Sequence, residues 1–276
     1  MNKLHCTSAG NLVRRSQKGN SIDRQRRRFI AMVAAGALMP LAGASRAAPA
    51  ASMPIKAITF DAFPIYDPRS IFAAVEQRFP EQGQALSKLW FTKLFPYTWL
   101  RTTAHRYVGF EVVAAQAFDA AALTLGVAAT AADRDVLVAA FSQMELWPDV
   151  VERLGEFQQL GLRLAFLSNL SEPMLRANMR RTGVERFFEA ALSTDRVHAF
   201  KPAPEAYQLG VEAFGLKKGE IAFAAFAAWD AAGASWFGYP TAWINRLGQP
   251  TEAFGAPPTL AGRDLTVLND LLHRSD

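Results

Sequence analysis

The second half of the chain alternates short apolar runs with segments of helical spacing, and this alternation limits the possible folds more than any other feature. The apolar runs predict strands at 162–167, 190–193, 221–225 and 241–244. The segments between them predict helices at 172–181, 204–214 and 231–237. Strands that alternate with helices are typical of a parallel sheet covered by helices on both faces.

One more strand is predicted near the start, at Ile55–Phe60. It is separated from the alternating half by Ser70–Met144, which is rich in Ala, Leu and Phe, has helical spacing and shows almost no strand signal. The chain has 276 residues and half of them are apolar, which is enough for one large packed core. The sequence therefore predicts a Rossmann-like α/β core from residues 54–68 and 146–276, with a helical cap at 69–145 inserted after the first strand.

Polar residues follow the predicted strands. Asp61 comes directly after the first strand, Ser168 and Asn169 after the second, Lys201 before a helix and Asp230 after the strand at 221–225. In open α/β sheets, ligands bind at the carboxyl ends of the strands. We expect a site at this edge, with the cap as its lid. Taken one at a time, these residue types are also common in ordinary turns and caps.

The net charge of +5 is unevenly distributed. Residues 1–47 contain nine Lys or Arg and a single acid, Asp23, which gives this segment +8 and leaves −3 for residues 48–276. A basic surface for phosphate backbones is therefore not predicted, and we expect no nucleic-acid partner.

The basic segment is typical of an export signal. Arg26, Arg27 and Arg28 precede an uncharged Ala-rich stretch, and Ala-x-Ala sites follow at 42–44 and 48–50. The pattern resembles a twin-arginine signal, which implies removal of residues 1–50 on export to the periplasm and no stable membrane association afterwards. A membrane anchor is the alternative, although the apolar stretch is shorter than the roughly 20 residues of a comfortable span.

Cysteine and histidine usage excludes several kinds of site. The only cysteine, Cys6, lies in the predicted signal, so disulfides and thiol catalysis are not expected in the exported chain. His105, His198 and His273 show no metal-ligand spacing. The sequence predicts no metal site and no cofactor.

Four motifs occur in an order that resembles the haloacid dehalogenase superfamily: FDAFPIYD, FLSNLSEPML, FKPAPEAY and AAWDAAGASWFGYPTAWINR. With the segment LWFTKLFPYTWLR, they look specifically like type II L-2-haloacid dehalogenases, over roughly residues 54–250. The resemblance implies a hydrolase whose Asp61 attacks carbon, displaces halide from a 2-haloalkanoate and forms an ester that water converts to a 2-hydroxy acid.

The same resemblance implies the other site residues. Lys201 would hold Asp61 ionised by charge pairing, and Asp230 would pair with Lys201 and with the hydrolytic water. The substrate-binding set would consist of Ser168, Asn169, Phe63, Phe91, Phe95, Phe110, Tyr207 and Trp229.

The chain departs from the family pattern at three places. After the nucleophile the family has Tyr-Gly-Thr-Leu, and this chain has Phe63-Pro64-Ile65-Tyr66. Where the family has an Arg after the Trp of the LW pair, this chain has Phe91. Where the family has Ser-Ser-Asn-Ala, residues 225–228 of this chain are Ala-Phe-Ala-Ala. Three functions stay open: a dehalogenase, suited to a more apolar small-molecule substrate; a non-catalytic binding protein with the same fold; and a phosphatase. The last is disfavoured because Phe63 stands where phosphatases of the superfamily carry a general-acid Asp. A homodimer is also left open.

Overall fold

The computed structural model describes residues 55–273, so the predicted signal lies outside the described residues. In chain order the strands are β1 (Ala57–Phe60), β2 (Tyr66–Asp67), β3 (Glu145–Leu146), β4 (Arg163–Ser168), β5 (Ala190–Ser193), β6 (Ile221–Ala225), β7 (Thr241–Ile244) and β8 (Leu260–Gly262). The α-helices are α1 (Arg69–Arg78), α2 (Gly83–Thr103), α3 (Phe110–Leu125), α4 (Ala131–Ala139), α5 (Val150–Gln159), α6 (Glu172–Thr182), α7 (Pro204–Phe214), α8 (Ala228–Phe237) and α9 (Val267–His273).

Six strands form one parallel sheet in the order β5-β4-β1-β6-β7-β8. β1 lies inside the sheet, with Phe60 opposite Phe166 of β4 and Ala224 of β6. Every residue of β1, β6 and β7 is buried, as expected for a parallel sheet covered on both faces. The predicted α/β class is confirmed. The topology places Asp61, the residue after β1, between the ends of two neighbouring strands.

Four helices, α1 to α4, follow β1 in the segment predicted to form the cap. The two short strands β2 and β3 enclose this segment and pair antiparallel, with Tyr66 opposite Leu146. Within it, α2 and α3 pack around Trp90, whose ring is fully buried and whose Nε1–H donates to the backbone oxygen of Ala114 at 2.8 Å. The antiparallel pair therefore joins the two ends of the helical insert, although its domain boundaries stay a prediction.

Several elements differ from the sequence prediction. α8 begins at Ala228, three residues earlier than predicted, so Trp229 and Asp230 lie on its first turn. The prediction omitted β2, β3, β8, α5 and α9. α5 carries a recognisable signal, because its buried residues Val150, Leu154 and Phe157 have the i, i+4, i+7 spacing of one helical face. Within residues 55–273, no helix combines the length and the apolar character needed to cross a membrane.

Candidate active site

The carboxyl ends of β1 and β4, the loop before α7 and the first turn of α8 meet at one edge of the sheet. They bring together Asp61, Ser168, Lys201 and Asp230, all of them buried. The centre of this cluster is the Lys201 ammonium, which donates to Asp61 Oδ1 at 2.9 Å and to Asp230 Oδ2 at 2.6 Å. Burial alone would lower the pKa of Lys201, but the two carboxylates outweigh it and the pKa is raised. Lys201 is therefore a cation at neutral pH.

Asp230 lies deeper than Asp61 and is held from two sides. Lys201 binds its Oδ2, and the Tyr207 hydroxyl donates to its Oδ1 at 2.7 Å. Burial raises the pKa of Asp230 to about 6, with Lys201 opposing the shift. Burial and the neighbouring Asp230 raise the pKa of Tyr207, so the phenol stays protonated and remains a donor. Tyr207 is fixed in turn by Tyr239, whose hydroxyl donates to the Tyr207 backbone oxygen at 2.6 Å.

The two oxygens of Asp61 have different partners. Oδ1 accepts from Lys201 and from the Ser168 hydroxyl, the latter at 3.2 Å. Among the described residues, Oδ2 accepts only one bond, from the Phe63 backbone N–H at 3.2 Å. Oδ2 is therefore the oxygen with more free lone-pair capacity, as an attacking atom requires.

Asn169 combines a bound and a free end. Its Oδ1 accepts the backbone N–H of Lys201 at 2.9 Å, which fixes the orientation of the side chain. Its Nδ2 is buried and has no hydrogen-bond partner among the described residues. A buried donor without a partner carries a free-energy cost that a substrate acceptor would remove.

These polar groups form the floor of a cavity of about 160 Å³ whose walls are mainly aromatic. The cap supplies three walls from α1, α2 and α3, and the core supplies the rest. The aromatic lining residues are Phe63, Phe72, Phe91, Phe95, Phe110, Phe226 and Trp229. Across the boundary between cap and core, the Trp229 ring lies 5.4 Å from the rings of both Phe95 and Trp99. The cavity is thus closed by contacts between the two parts.

Ten of the eleven predicted site residues line the cavity. Of the predicted set, Asp61, Lys201, Asp230, Ser168, Asn169, Phe63, Phe91, Phe95, Phe110 and Trp229 all line the cavity. Tyr207 does not; it lies behind Asp230 and acts by positioning that carboxylate. Phe72 and Phe226 are the aromatic lining residues that the prediction lacks, and the other lining residues outside the predicted set are Pro68, Leu170, Ala227 and Leu247. Phe226 directly follows β6, where the strand-end rule would have found it, whereas Phe72 joins the site through its edge-to-face contact with Phe91, at 4.6 Å between ring centres.

Residues 55–238 match the haloacid dehalogenase-like hydrolase family. The chain belongs to this family. It is 37% identical to the (S)-2-haloacid dehalogenase of Pseudomonas sp. strain YL over 205 residues. This match covers 74% of this chain and 88% of the relative. It is 34% identical to haloacetate dehalogenase H-2 of Moraxella sp. strain B, over 79% of this chain and 97% of the relative.

Solved structures show the same fold. The L-2-haloacid dehalogenase from Xanthobacter autotrophicus, with chloropropionic acid covalently bound, superposes with a TM-score of 0.74 at 28% identity. The superposition covers 79% of this chain and 98% of the Xanthobacter chain. This haloacid dehalogenase-like hydrolase therefore shares the architecture of a dehalogenase whose structure holds chloropropionic acid covalently bound.

The three departures from the family pattern lie in or beside the cavity of this hydrolase. Phe91 and Ala227 line it, so a phenyl ring and a methyl group replace the family's guanidinium and amide. Ala225, at the end of β6, and Ile65 are fully buried next to the site and offer no hydroxyl. The cavity is consequently more apolar than the resemblance implies.

The charged groups leave little room for a metal of the phosphatase kind. The ammonium of Lys201 occupies the space between the carboxylates of Asp61 and Asp230. Throughout residues 55–273, there is no group of three or more His, Cys, Asp or Glu side chains suited to holding a metal ion. Phe63 N–H, and not a second carboxylate, contacts Asp61 from the following turn.

Proposed function

We propose that the protein hydrolyses 2-haloalkanoates by displacing halide with Asp61 and releasing a 2-hydroxy acid. The observation that carries the proposal is the buried chain Asp61–Lys201–Asp230–Tyr207, with Asp61 at the cavity floor. A carboxylate is a weak nucleophile in water, but one that is desolvated and aimed at a carbon displaces a leaving group. The aromatic walls supply the desolvation, and the two hydrogen bonds to Oδ1 fix the aim.

The reaction divides into two displacements. Asp61 Oδ2 forms a bond to C2 of the substrate while the carbon–halogen bond breaks, and the electron pair leaves with the halide. Water then attacks the carbonyl carbon of the Asp61 ester and loses a proton to Asp230. Asp230 later releases this proton to solvent. The 2-hydroxy acid leaves and the Asp61 carboxylate is restored. Lys201 stays protonated throughout and stabilises the negative charge that forms on the carbonyl oxygen of the ester, the former Oδ1, in the second step.

The test measures halide release from (S)-2-haloacids by purified protein, with Asp61→Asn as the matched control. We expect release by the wild-type protein and none by the variant. After a single turnover in ¹⁸O-labelled water, mass spectrometry should find the label in the peptide that contains Asp61. Release of halide without labelling of that peptide would place the attack on another residue or on water.

The same assay separates the two other functions. A phosphatase would release phosphate from aryl phosphates and lose activity in EDTA, whereas the ester mechanism predicts unchanged halide release in EDTA. A non-catalytic binding protein is favoured by Phe91, Ala225 and Ala227, which lack the family's polar groups. It would bind 2-haloacids and release no halide.

We also propose that the protein acts in the periplasm after removal of residues 1–50. The support is the arrangement of three consecutive arginines, an uncharged Ala-rich stretch and Ala-x-Ala sites.

A small-molecule substrate is consistent with the size of the cavity, about 160 Å³. The homodimer stays a prediction, which the mass of the protein in solution would test.

A further inference from the structure

The cavity carries a net negative charge. Asp61 and Asp230 contribute two carboxylates and Lys201 contributes one ammonium, which is bonded to both of them. Within the described part of the chain, Lys201 is the only Lys, Arg or His that lines the cavity. Nearby arginines are engaged elsewhere: Arg246 binds Asp149 and the backbone oxygen of Pro64, and Arg69 binds Asp67. No free cation therefore faces a bound substrate from these residues.

A 2-haloalkanoate would have to place its own charge beside Asp61. Its carboxyl carbon is bonded directly to C2, the atom under attack, so the two carboxylates approach within a few ångströms. Aromatic walls exclude the water and salt that would screen the repulsion. A carboxylate moved into such surroundings without a cationic partner also loses hydration that the unpartnered amide donor of Asn169 replaces only in part.

The donors that remain suit a neutral carbonyl group. The Ser168 hydroxyl already donates to Asp61, which leaves Asn169 Nδ2 as the unpartnered side-chain donor at the floor. An amide N–H₂ can donate to the carbonyl oxygen of a neutral compound without requiring a compensating charge. Phe91, where the resemblance implies an arginine, offers an apolar contact to an alkyl or amide group.

We propose that the cavity binds uncharged 2-halo carbonyl compounds in preference to 2-haloalkanoate anions. The representative compounds of this class are 2-haloamides. The inference rests on the proposed function for the displacement at C2 and goes beyond it in the charge of the substrate. Asp61 forms the bond to C2, the halide leaves with the bonding pair, and water hydrolyses the Asp61 ester. The products are the 2-hydroxyamide, the halide and one proton, and the amide group is unchanged.

The test compares chloride release from 2-chloropropionamide and from 2-chloropropionate, both racemic so that stereochemistry does not bias the ratio. We expect kcat/KM for the amide to exceed that for the acid by at least about tenfold, because the amide avoids the like-charge contact. Phe91→Arg should reverse this preference by supplying a cation. Phe91→Met, which has similar reach and no charge, should retain the preference for the amide even if the rates fall.

A second measurement separates this inference from the proposed function. Isobutyramide and isobutyrate have a methyl group in place of the chlorine, so they test binding without reaction. By saturation-transfer NMR, the wild-type protein should bind the amide at least about tenfold more tightly. If the amide binds more tightly and neither chloro compound releases chloride, the displacement chemistry is wrong and the charge preference stands. The inference is overturned if the acid binds or reacts as well as the amide, or if neither analogue binds.

Discussion

Lys201 is the residue on which the arrangement of the site depends. It is 1% exposed, and both of its side-chain hydrogen bonds go to carboxylates that are buried with it. A buried ion pair adds little to stability compared with an apolar substitute, but the loss of one partner leaves an uncompensated charge. At this site the loss of the single cation would leave two buried carboxylates facing each other.

We therefore expect Lys201→Met to lower the free energy of unfolding by about 3–5 kcal/mol and to abolish halide release. Denaturant unfolding followed by circular dichroism measures the first effect. The double variant Lys201→Met with Asp230→Asn has only one buried carboxylate, Asp61, and should recover part of the lost stability. If the single variant unfolds at the same denaturant midpoint as the wild-type protein, the central role of Lys201 is contradicted.

The pH dependence of the reaction should report on Asp230. Burial raises the pKa of this carboxyl to about 6, so it is ionised above that pH and gains a proton below it. When Asp230 is protonated, it no longer forms an ion pair with Lys201 and cannot accept a proton from the hydrolytic water. We expect the turnover rate to fall as the pH drops through about 6. Residual activity of Asp230→Asn should lack this acid limb, and a wild-type rate that is constant down to pH 5 would exclude the assigned role.

Among the secondary-structure elements, helix α8 shows most clearly how packing positions the site. Its first turn carries Asp230, where the partial positive charge of a helix N-terminus favours a carboxylate. Gly233 follows on the face towards α7. A Cβ at this position would lie 2.5 Å from the Tyr207 hydroxyl oxygen and 2.7 Å from Pro202 Cβ. The absence of a side chain lets α8 approach closely enough for Tyr207 to reach Asp230.

We expect Gly233→Ala to displace Tyr207 and weaken its hydrogen bond to Asp230, with a loss of about 1–3 kcal/mol in stability from overpacking. Turnover should fall as well, because Asp230 loses one of the groups that position it. Gly155 in α5 is the matched control, since no atom outside the adjoining turns of its own helix lies within 4 Å of an added Cβ. Gly155→Ala should be neutral or stabilising by up to about 1 kcal/mol. Equal effects of the two substitutions, measured by thermal unfolding and halide release, would refute the close-approach argument.

For the whole molecule, the important feature is that the cavity belongs to both the cap and the core. The core supplies Asp61, Lys201 and Asp230, and the cap supplies Phe72, Phe91, Phe95 and Phe110. Polar contacts also join the two parts: the Phe200 N–H donates to Thr102 Oγ1 at 3.0 Å, Tyr107 donates to Asp195, and Ser171 donates to Glu111. Exclusion of water from the nucleophile is therefore a property of the assembled molecule.

The proposed export also concerns the whole molecule, because twin-arginine transport carries proteins that have already folded. Changing Arg26 and Arg27 to Lys keeps the positive charge and removes the arginine pair. We expect the full-length precursor to remain in the cytoplasm, as seen by fractionation and immunoblotting. The same substitution at Arg14 and Arg15 is the control and should leave delivery intact. Periplasmic delivery of the Arg26/Arg27 variant would contradict the twin-arginine interpretation.

Elements that depend only on neighbouring residues could be predicted from the sequence. Alternating strands and helices, the helical insert, and polar residues after β1, β4 and β6 could all be predicted, because apolar periodicity and strand-end positions are local patterns. β8 could not be predicted because it has only three residues, too few for a periodicity to appear, whereas α5 was overlooked although its apolar spacing is a local pattern.

The contacts between remote side chains depend on how the elements pack, which no local pattern encodes. The residues around Lys201 indicate only a charge before a proline, and its pairing with Asp61, 140 positions away, was implied by the family resemblance alone. The pair forms because β1 and the loop before α7 reach the same sheet edge. The place of Tyr207 behind Asp230 depends on the close approach of α8, which Gly233 permits. The net charge of the cavity likewise follows from distances between remote residues, and no local pattern encodes such distances.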